Sequence, residues 1–366
     1  MRVLHVFKTF WPDTFGGIER TIDTIARSTA PHGVQSEVMS LSSKPREDTG
    51  RFGGYRTTKA KLDLDIASTG FSREAFSVFR QAAARADLVH YHFPWPFMDV
   101  LHLSVRHRLP SIVTYHSDVV RQSALNLLYA PLRRRFLRSM DAIVATSPNY
   151  RDSSSVLARY REKTRIIPIG LDPSAYPAPE PALLEDIRRR YPDGFFFFVG
   201  VPRYYKGLGS LMEAASISGR TVVVAGGAQL PAPPNVHFVG AIGEAEKAAL
   251  FQACTAFVFP SNQRSEAYGL ALLEAAMFGR PMISCEIGTG TSYINRDGET
   301  GRVVPPDDPR ALAAAMEEIA GDGARAARWG EAARSRFLQM FSAERMGVAY
   351  THLYSEVSAG KPEPDA

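Results

Sequence analysis

Short apolar runs recur along the chain, each followed by a glycine-bearing or polar loop and often by a stretch with helical spacing. In the first half they lie at Val3–Phe7, Ser36–Leu41, Leu88–His92, Ser111–Tyr115, Ala142–Thr146 and Arg165–Ile167, with helix-like segments such as Ile18–Ala30 and Ser72–Ala86 between several of them. The second half repeats the pattern at Phe195–Gly200, Thr221–Ala225, Val236–Val239, Ala256–Phe259, Pro281–Ser284 and Arg302–Val304. Alternation of this kind predicts parallel, doubly wound sheets. The run Phe195-Phe-Phe-Phe-Val-Gly200 lacks a polar face altogether, as expected of a strand covered on both sides. Prolines crowd Pro173-Ser-Ala-Tyr-Pro-Ala-Pro-Glu-Pro181, which marks an interdomain break. The expected organisation is α/β: a first domain over 1–172, a linker over 173–194 and a second domain over 195–342. Residues 343–366 supply a helix returning to the first domain and a disordered tail. Two such domains should face one another across a deep cleft at the carboxyl ends of both sheets.

Composition adds bounds to this picture. With 366 residues, two domains of roughly 150–200 residues each are natural, and 45% hydrophobic content supplies two cores. No apolar run approaches the ~20 residues that span a bilayer, and the start lacks the features of a secretory signal, so the expected location is cytoplasmic. Cys254 and Cys285 have no partner at metal-ligand spacing and read as buried small hydrophobes. The net charge of +5 suits an anionic partner. No zinc pattern, RNA-binding aromatic signature or long basic tail is present, so nucleic acid is not expected.

Candidate chemistry sits in the loops after strands. Gly16 and Gly17 precede a helix, where backbone can approach an anion. His116 and Asp118 follow the fourth strand and should project into the cleft; a histidine that merely caps the strand is the alternative. Arg203 and Lys206 sit three apart at a strand-to-helix turn among glycines, suited to a departing diphosphate. The most informative segment is Ser265-Glu-Ala-Tyr-Gly-Leu-Ala-Leu-Leu-Glu-Ala-Ala276. Glu266 would come from a loop and Glu274 from the helix behind it, where carboxylates can accept from paired sugar hydroxyls. The backbone amides of Tyr268, Gly269 and Leu270 at the helix start favour a diphosphate.

These glutamates, with the turn at Arg203 and Lys206 and the loop at Gly16-Gly17, resemble the retaining GT-B glycosyltransferases of family 4, over essentially the whole chain. The resemblance implies two Rossmann-like domains, the first for the acceptor and the second for the nucleotide sugar. It implies that Glu274 binds the ribose and Glu266 the donor sugar at the reacting centre. Arg203 and Lys206 would neutralise the leaving diphosphate, Gly16 and Gly17 would lie against donor phosphate or acceptor, and His116 would sit near sugar hydroxyls. His92-Phe-Pro94, Tyr115-His-Ser-Asp118 and Ile287-Gly-Thr-Gly-Thr-Ser-Tyr-Ile294 narrow it to bacterial mannosyl- and rhamnosyltransferases of polysaccharide and O-antigen assembly. The implied donor is then a GDP-hexose, D-mannose or D-rhamnose, and the acceptor a growing, lipid-linked glycan. A nucleotide-sugar 2-epimerase of the same fold and a non-catalytic nucleotide-sugar-binding subunit are the alternatives.

Other features have simpler readings. Asp63-Leu-Asp65 fits an edge strand with a solvated face, and Asp307-Asp308 an N-cap before Pro309, so neither a metal nor a cofactor is expected. The basic segment 131–138, Pro131-Leu-Arg-Arg-Arg-Phe-Leu-Arg138, suits either a peripheral contact with the inner membrane or an ordinary amphipathic helix.

Overall fold

The apolar runs of the first half become β1 (Arg2–Val6), β2 (Gln35–Ser42), β7 (Leu88–Phe93), β8 (Ser111–Tyr115), β9 (Ala142–Ala145) and β10 (Thr164–Ile166), joined by β3 (Gly50–Phe52), β4 (Tyr55–Lys61), β5 (Leu64–Ile66) and β6 (Thr69–Phe71). The computed structural model describes residues 1–45, 50–105, 107–118, 123–227 and 229–360; of the tail expected to be disordered, 360–366, all but Gly360 lies outside them. Eight strands form one sheet in the order β10-β9-β8-β7-β1-β2-β4-β3. It is parallel except where β3 meets β4. The pattern did not predict β4, because Tyr55-Arg-Thr-Thr-Lys-Ala-Lys61 reads as solvated. In fact Lys59 points inward, 3% exposed, and its charge meets Asp13 at 2.5 Å. Asp63 precedes a separate antiparallel hairpin of β5 and β6, and its carboxylate accepts the Arg73 backbone N–H at 2.8 Å.

The second half forms a six-stranded parallel sheet from β11 (Phe196–Val199), β12 (Val222–Ala225), β13 (Val236–Gly240), β14 (Ala256–Phe259), β15 (Met282–Cys285) and β16 (Gly301–Val304). Its order is β13-β12-β11-β14-β15-β16. Phe196, Phe198, Val222, Val224, Val258 and Ile283 are buried with Leu211, Leu312, Met316 and Ile319 of the covering helices. In both sheets the chain starts centrally and winds outward both ways, so the order reverses between β1 and β7 and between β11 and β14. Such reversals leave a crevice at the carboxyl ends of the two central strands, where α/β proteins hold ligands.

The chain divides into a unit of Met1–Gly170 with Ala343–Ala366 and a unit of Leu171–Ser342. The stretch 173–194, expected as a linker, lies within the second unit. Pro181 there opens the helix Pro181–Arg190 rather than ending structure, since its missing N–H falls where no intrahelical partner exists. The helix Ala343–Ala359 belongs to the first unit and crosses the helix Gly17–Thr29 closely: a Cβ on Gly347 would lie 2.4 Å from the Ser28 carbonyl oxygen.

One face of the first sheet carries a ladder of histidines. His5, His90 and His92 share that face by the alternation of β1 and β7, and His116 follows β8 on the same side. His5 Nδ1 meets His92 Nε2 at 3.1 Å, and His92 Nδ1 meets His116 Nε2 at 3.0 Å. His90 bonds instead to the Tyr354 hydroxyl at 2.8 Å and to Thr114 Oγ1 at 2.7 Å. Burial lowers the His5 and His116 imidazoles to about 3 and holds His90 and His92 well below the usual range. Unfolded histidines bind protons near pH 6.5, whereas these do not until the solution is far more acid. Stability therefore falls as pH falls from 6.5 towards 3, because the unfolded chain binds more protons. His5 and His116 together should cost about 4 kcal/mol between pH 7 and pH 5. Urea titrations at the two values measure this, and coincident midpoints would contradict a neutral histidine core.

Candidate functional site

The order reversal of the second sheet places two loops side by side, one after β11 and one after β14. They touch at Gly207, whose backbone is left-handed at φ +66°; a Cβ there would lie 2.0 Å from the Pro260 carbonyl oxygen. Only glycine allows this approach. The Asn262 N–H donates to the Tyr205 carbonyl at 2.9 Å, and Tyr204 and Ser265 hydroxyls meet at 3.1 Å. The same contact brings Lys206 to Glu266: Nζ donates to Oε2 at 2.6 Å, with the side chains only 15% and 13% exposed. This is a short, charge-assisted hydrogen bond. The ammonium also stands 4.7 Å from the centre of the Phe259 ring at the end of β14.

Arg203 precedes the single turn Tyr204–Lys206 and is exposed. It lines a cavity of about 490 Å³ at the amino end of the helix Leu208–Ser218, with Gly207, Gly209, Ser210, Asn262 and Asp307. Asp308 caps the next helix by accepting the Ala311 N–H at 2.9 Å, as expected of the aspartate pair. Asp307 does not share that role. It holds a left-handed backbone at φ +57° and accepts from Asn262 Nδ2 at 2.7 Å.

Gly269, at φ +90°, turns the chain into the helix Leu270–Met277, and Tyr268 packs under the loop at Gly290, where a Cβ would lie 2.5 Å from the Tyr268 ring. Glu274 is carried on this helix and is 5% exposed. Its Oε1 accepts from Lys247 Nζ at 2.9 Å and from the Tyr176 hydroxyl at 2.8 Å. Lys247 also pairs with Glu244 at 2.8 Å and lies 5.3 Å from the Tyr176 ring centre. The two glutamates are thus held by separate lysines. Neither Lys247 nor Tyr176 stood out in the sequence. One lies in Glu244-Ala-Glu-Lys-Ala-Ala-Leu250, which reads as an amphipathic helix, and the other in the proline-rich stretch. The available signal was a lysine flanked by apolar residues, which is rarely buried without a partner.

In the first unit, Gly16 caps the helix Gly17–Thr29 with extended backbone. A Cβ on Gly16 would lie 2.4 Å from Glu19 Oε2, so this helix start faces a carboxylate of its own chain. Glu19 is 5% exposed and accepts from Thr9 at 2.8 Å and Thr14 at 2.5 Å. Asp118 is half-buried, its Oδ1 accepting from Tyr115 and Ser154 hydroxyls at 2.9 Å each, so it braces its own loop. His116 is 7% exposed and belongs to the histidine ladder rather than standing clear of the strand end. Its Nδ1 has no hydrogen-bond partner among the described residues. His5, His90 and His92 each offer a nitrogen within 4.8 Å of the others, a spacing a metal ion could use. All six of their ring nitrogens are already in hydrogen bonds, the sixth being His5 Nε2 to Ser36 Oγ at 3.4 Å.

Removing one partner of a buried ion pair leaves the other charge uncompensated and typically costs ~3–5 kcal/mol. Lys247→Met should therefore lower the thermal midpoint by the equivalent of about 3 kcal/mol. An unchanged midpoint in calorimetry would show that Glu274 does not depend on Lys247.

Among the described residues no helix is long and apolar enough to cross a membrane. The family model described as glycosyltransferase family 4 matches residues 15–175, and that described as glycosyl transferases group 1 matches residues 183–336. D-rhamnosyltransferase WbpZ of Pseudomonas aeruginosa is 49% identical, the match covering 94% of this chain and 93% of that protein. O-antigen chain mannosyltransferase C of Escherichia coli is 45% identical over 99% of this chain and 100% of its own. Sucrose-phosphate synthase of Thermosynechococcus elongatus superposes with a TM-score of 0.78 at 21% identity, covering 98% of this chain and 100% of that one. HepE of Anabaena, in complex with UDP, gives 0.76 at 17% identity over 97% and 100%. At those identities the structures speak for the fold alone, and the fold is GT-B. The chain belongs to family 4 of the GT-B glycosyltransferases.

Proposed function

We propose that this glycosyltransferase moves a hexose, D-mannose or D-rhamnose, from a GDP-sugar to a growing O-antigen-type polysaccharide, with retained configuration and without a metal ion. The observation that carries the proposal is near full-length identity of 49% and 45% to a D-rhamnosyltransferase and an O-antigen chain mannosyltransferase. No observation favours the 2-epimerase or the non-catalytic reading. Glu274, fixed by Lys247 and Tyr176, is the anchor for the nucleotide ribose. Glu266 and Lys206 act as an exchangeable pair. A diphosphate draws the Lys206 ammonium away, and the freed Glu266 carboxylate then accepts from hydroxyls of the sugar. Arg203 adds a second cation beside the leaving group, the kind of charge stabilisation that often dominates catalysis. Tyr268, Gly269 and Leu270 form the turn against the diphosphate, and Gly16 and Gly17 the corresponding turn of the first unit. His116 serves the sugar hydroxyls, and Asp118 contributes to acceptor or sugar contacts.

Glu266→Ala and Glu274→Ala should each lower transfer from the GDP-sugar by about 100-fold or more while the protein stays folded. Chelation should leave the wild-type rate unchanged, and NMR of the product should give the anomeric configuration of the donor. Thermal-shift measurements with GDP-, UDP- and ADP-sugars identify the donor, since a ligand that binds the native state raises the midpoint. Full activity in both variants would overturn the site; a shift with UDP-sugars alone would overturn the donor.

A lipid-linked acceptor implies contact with a membrane surface, and the helix Ser123–Ser139 suits one. It exposes Leu127 (77%) and Leu128 (79%) and, further along, Arg134, Arg135 and Arg138. An apolar tip beside clustered cations matches an anionic bilayer, at about 1 kcal/mol per cation near the surface. The protein should cosediment with vesicles containing phosphatidylglycerol and not with neutral ones, and Arg134→Glu with Arg135→Glu should abolish it. Equal binding to both vesicle types would exclude this surface.

A further inference from the structure

The stretch Ile287-Gly-Thr-Gly-Thr-Ser-Tyr-Ile294 follows β15 and takes no part in the transfer proposed above. Glu286, at the end of that strand, organises it. Its Oε1 accepts the Gly288 N–H at 2.8 Å and the Ser292 hydroxyl at 3.0 Å. The chain turns back at Gly288, whose backbone is left-handed at φ +67°. Beneath this turn Thr289 and Thr291 are fully buried; their hydroxyls meet at 3.3 Å, and Thr291 donates to the Cys285 carbonyl at 3.3 Å. The loop is thus closed by its own side chains. Its other side is docked on the loop that carries Glu266. The Gly290 N–H donates to the Ala267 carbonyl at 2.9 Å, and Arg264 Nη1 donates to the Gly288 carbonyl at 3.0 Å. A Cβ on Gly290 would lie 2.5 Å from the Tyr268 ring and 3.0 Å from Tyr268 Cα. A ring can swing aside and main chain cannot, so the approach requires glycine.

The Glu266 loop is therefore gripped from two sides. After β11, Tyr204 meets Ser265 and Lys206 meets Glu266. After β15, Gly288 holds Arg264 and Gly290 holds Ala267, the residues two before and one after Glu266. The two grips differ in kind. The first includes the ion pair that is given up when a diphosphate draws Lys206 away. The second is made of backbone groups and one guanidinium, and nothing in it has to let go. We propose that Glu286 and Gly290 are positioning residues: Glu286 folds the loop after β15, and that loop fixes the aim of the Glu266 carboxylate once Lys206 has left it. They touch neither the diphosphate nor the nucleotide, so they govern the part of donor affinity that comes from the hexose. The contact with hexose rests on the function proposed above; the positioning of the Glu266 loop does not.

Amide hydrogen exchange of the ligand-free protein, read by NMR, tests the positioning without any donor. Glu286→Ala should speed exchange at the Gly290 and Glu266 amides about tenfold or more while the amides of β14 keep their protection. Glu286→Gln should restore the wild-type rates, because both bonds fall on one oxygen and an amide oxygen can accept them. Calorimetric titration with GDP-mannose, GDP-rhamnose and GDP then reads the consequence. In Glu286→Ala and in Gly290→Ala, binding of the GDP-hexose that wild type prefers should weaken about 5–10-fold, as loss of a hydrogen bond to the sugar does, with GDP affinity unchanged within about twofold. In transfer assays kcat should fall about 10–100-fold, as for a misplaced reacting group, and Glu286→Gln should recover it. Unchanged exchange at Gly290 and Glu266 in Glu286→Ala would overturn the proposal, as would equal weakening of GDP and GDP-hexose. Glu286→Gln as impaired as Glu286→Ala would also overturn it, since the charge itself would then be what matters. Wild type that binds neither GDP-hexose would refute the donor proposed above, and the exchange rates would still decide the positioning.

Discussion

A parallel sheet covered on both faces has no water to offer a polar side chain, so every such group must find a partner or sit at a strand end. Both units of this protein are organised by that constraint. In the first, one face of the sheet admits four imidazoles, and each is bonded to another ring, a hydroxyl or both. In the second, the central strands are apolar along their length, and the charged groups appear only where β11 and β14 finish. The candidate site lies at the order reversal because two loops there have no helix between them, and the close approach at Gly207 brings Lys206 into contact with Glu266.

The two glutamates meet the constraint differently, and the difference suits different tasks. Glu274 lies on a helix and is almost inaccessible, with its charge offset by Lys247 and its orientation set by Tyr176. Three elements distant in sequence converge on it, which suits a fixed point of attachment. Glu266 lies on a loop and shares one short contact with a flexible lysine on another loop. In the proposed function a diphosphate draws that lysine off, and since both groups lie on loops after strands the exchange need not disturb the sheet.

Much of this was legible in the sequence. Strand runs such as Ser111–Tyr115 and Ala256–Phe259 stand where the apolar pattern puts them, because strands buried on both faces carry an unbroken signal. The pair Glu266 and Glu274 was visible from a loop-then-helix spacing that no single helix face explains. What escaped depends on partners far along the chain. β4 was hidden because Lys59 looks solvated until Asp13 is placed beside it. Lys247 and Tyr176 were hidden because each is ordinary in its own segment. His90 and His92 escaped for the same reason: alternation puts them on one face, but only β1, β8 and the last helix turn that face into a closed network. Local pattern specifies elements; pairing between elements specifies which polar residues lie inside.

The last helix carries one more implication. Tyr350 and Tyr354 close the network over Thr114 and His90, and Gly347 lets that helix nestle against Ser28. These residues come after the whole of the second unit in the chain. During synthesis the first 170 residues therefore emerge without the element that seals their histidine face, while residues 171–342 contain everything their own sheet requires. Domains generally fold as units and in order of emergence. Here the order of completion is reversed: the second unit can finish first, and the first stays open until nearly the end of translation.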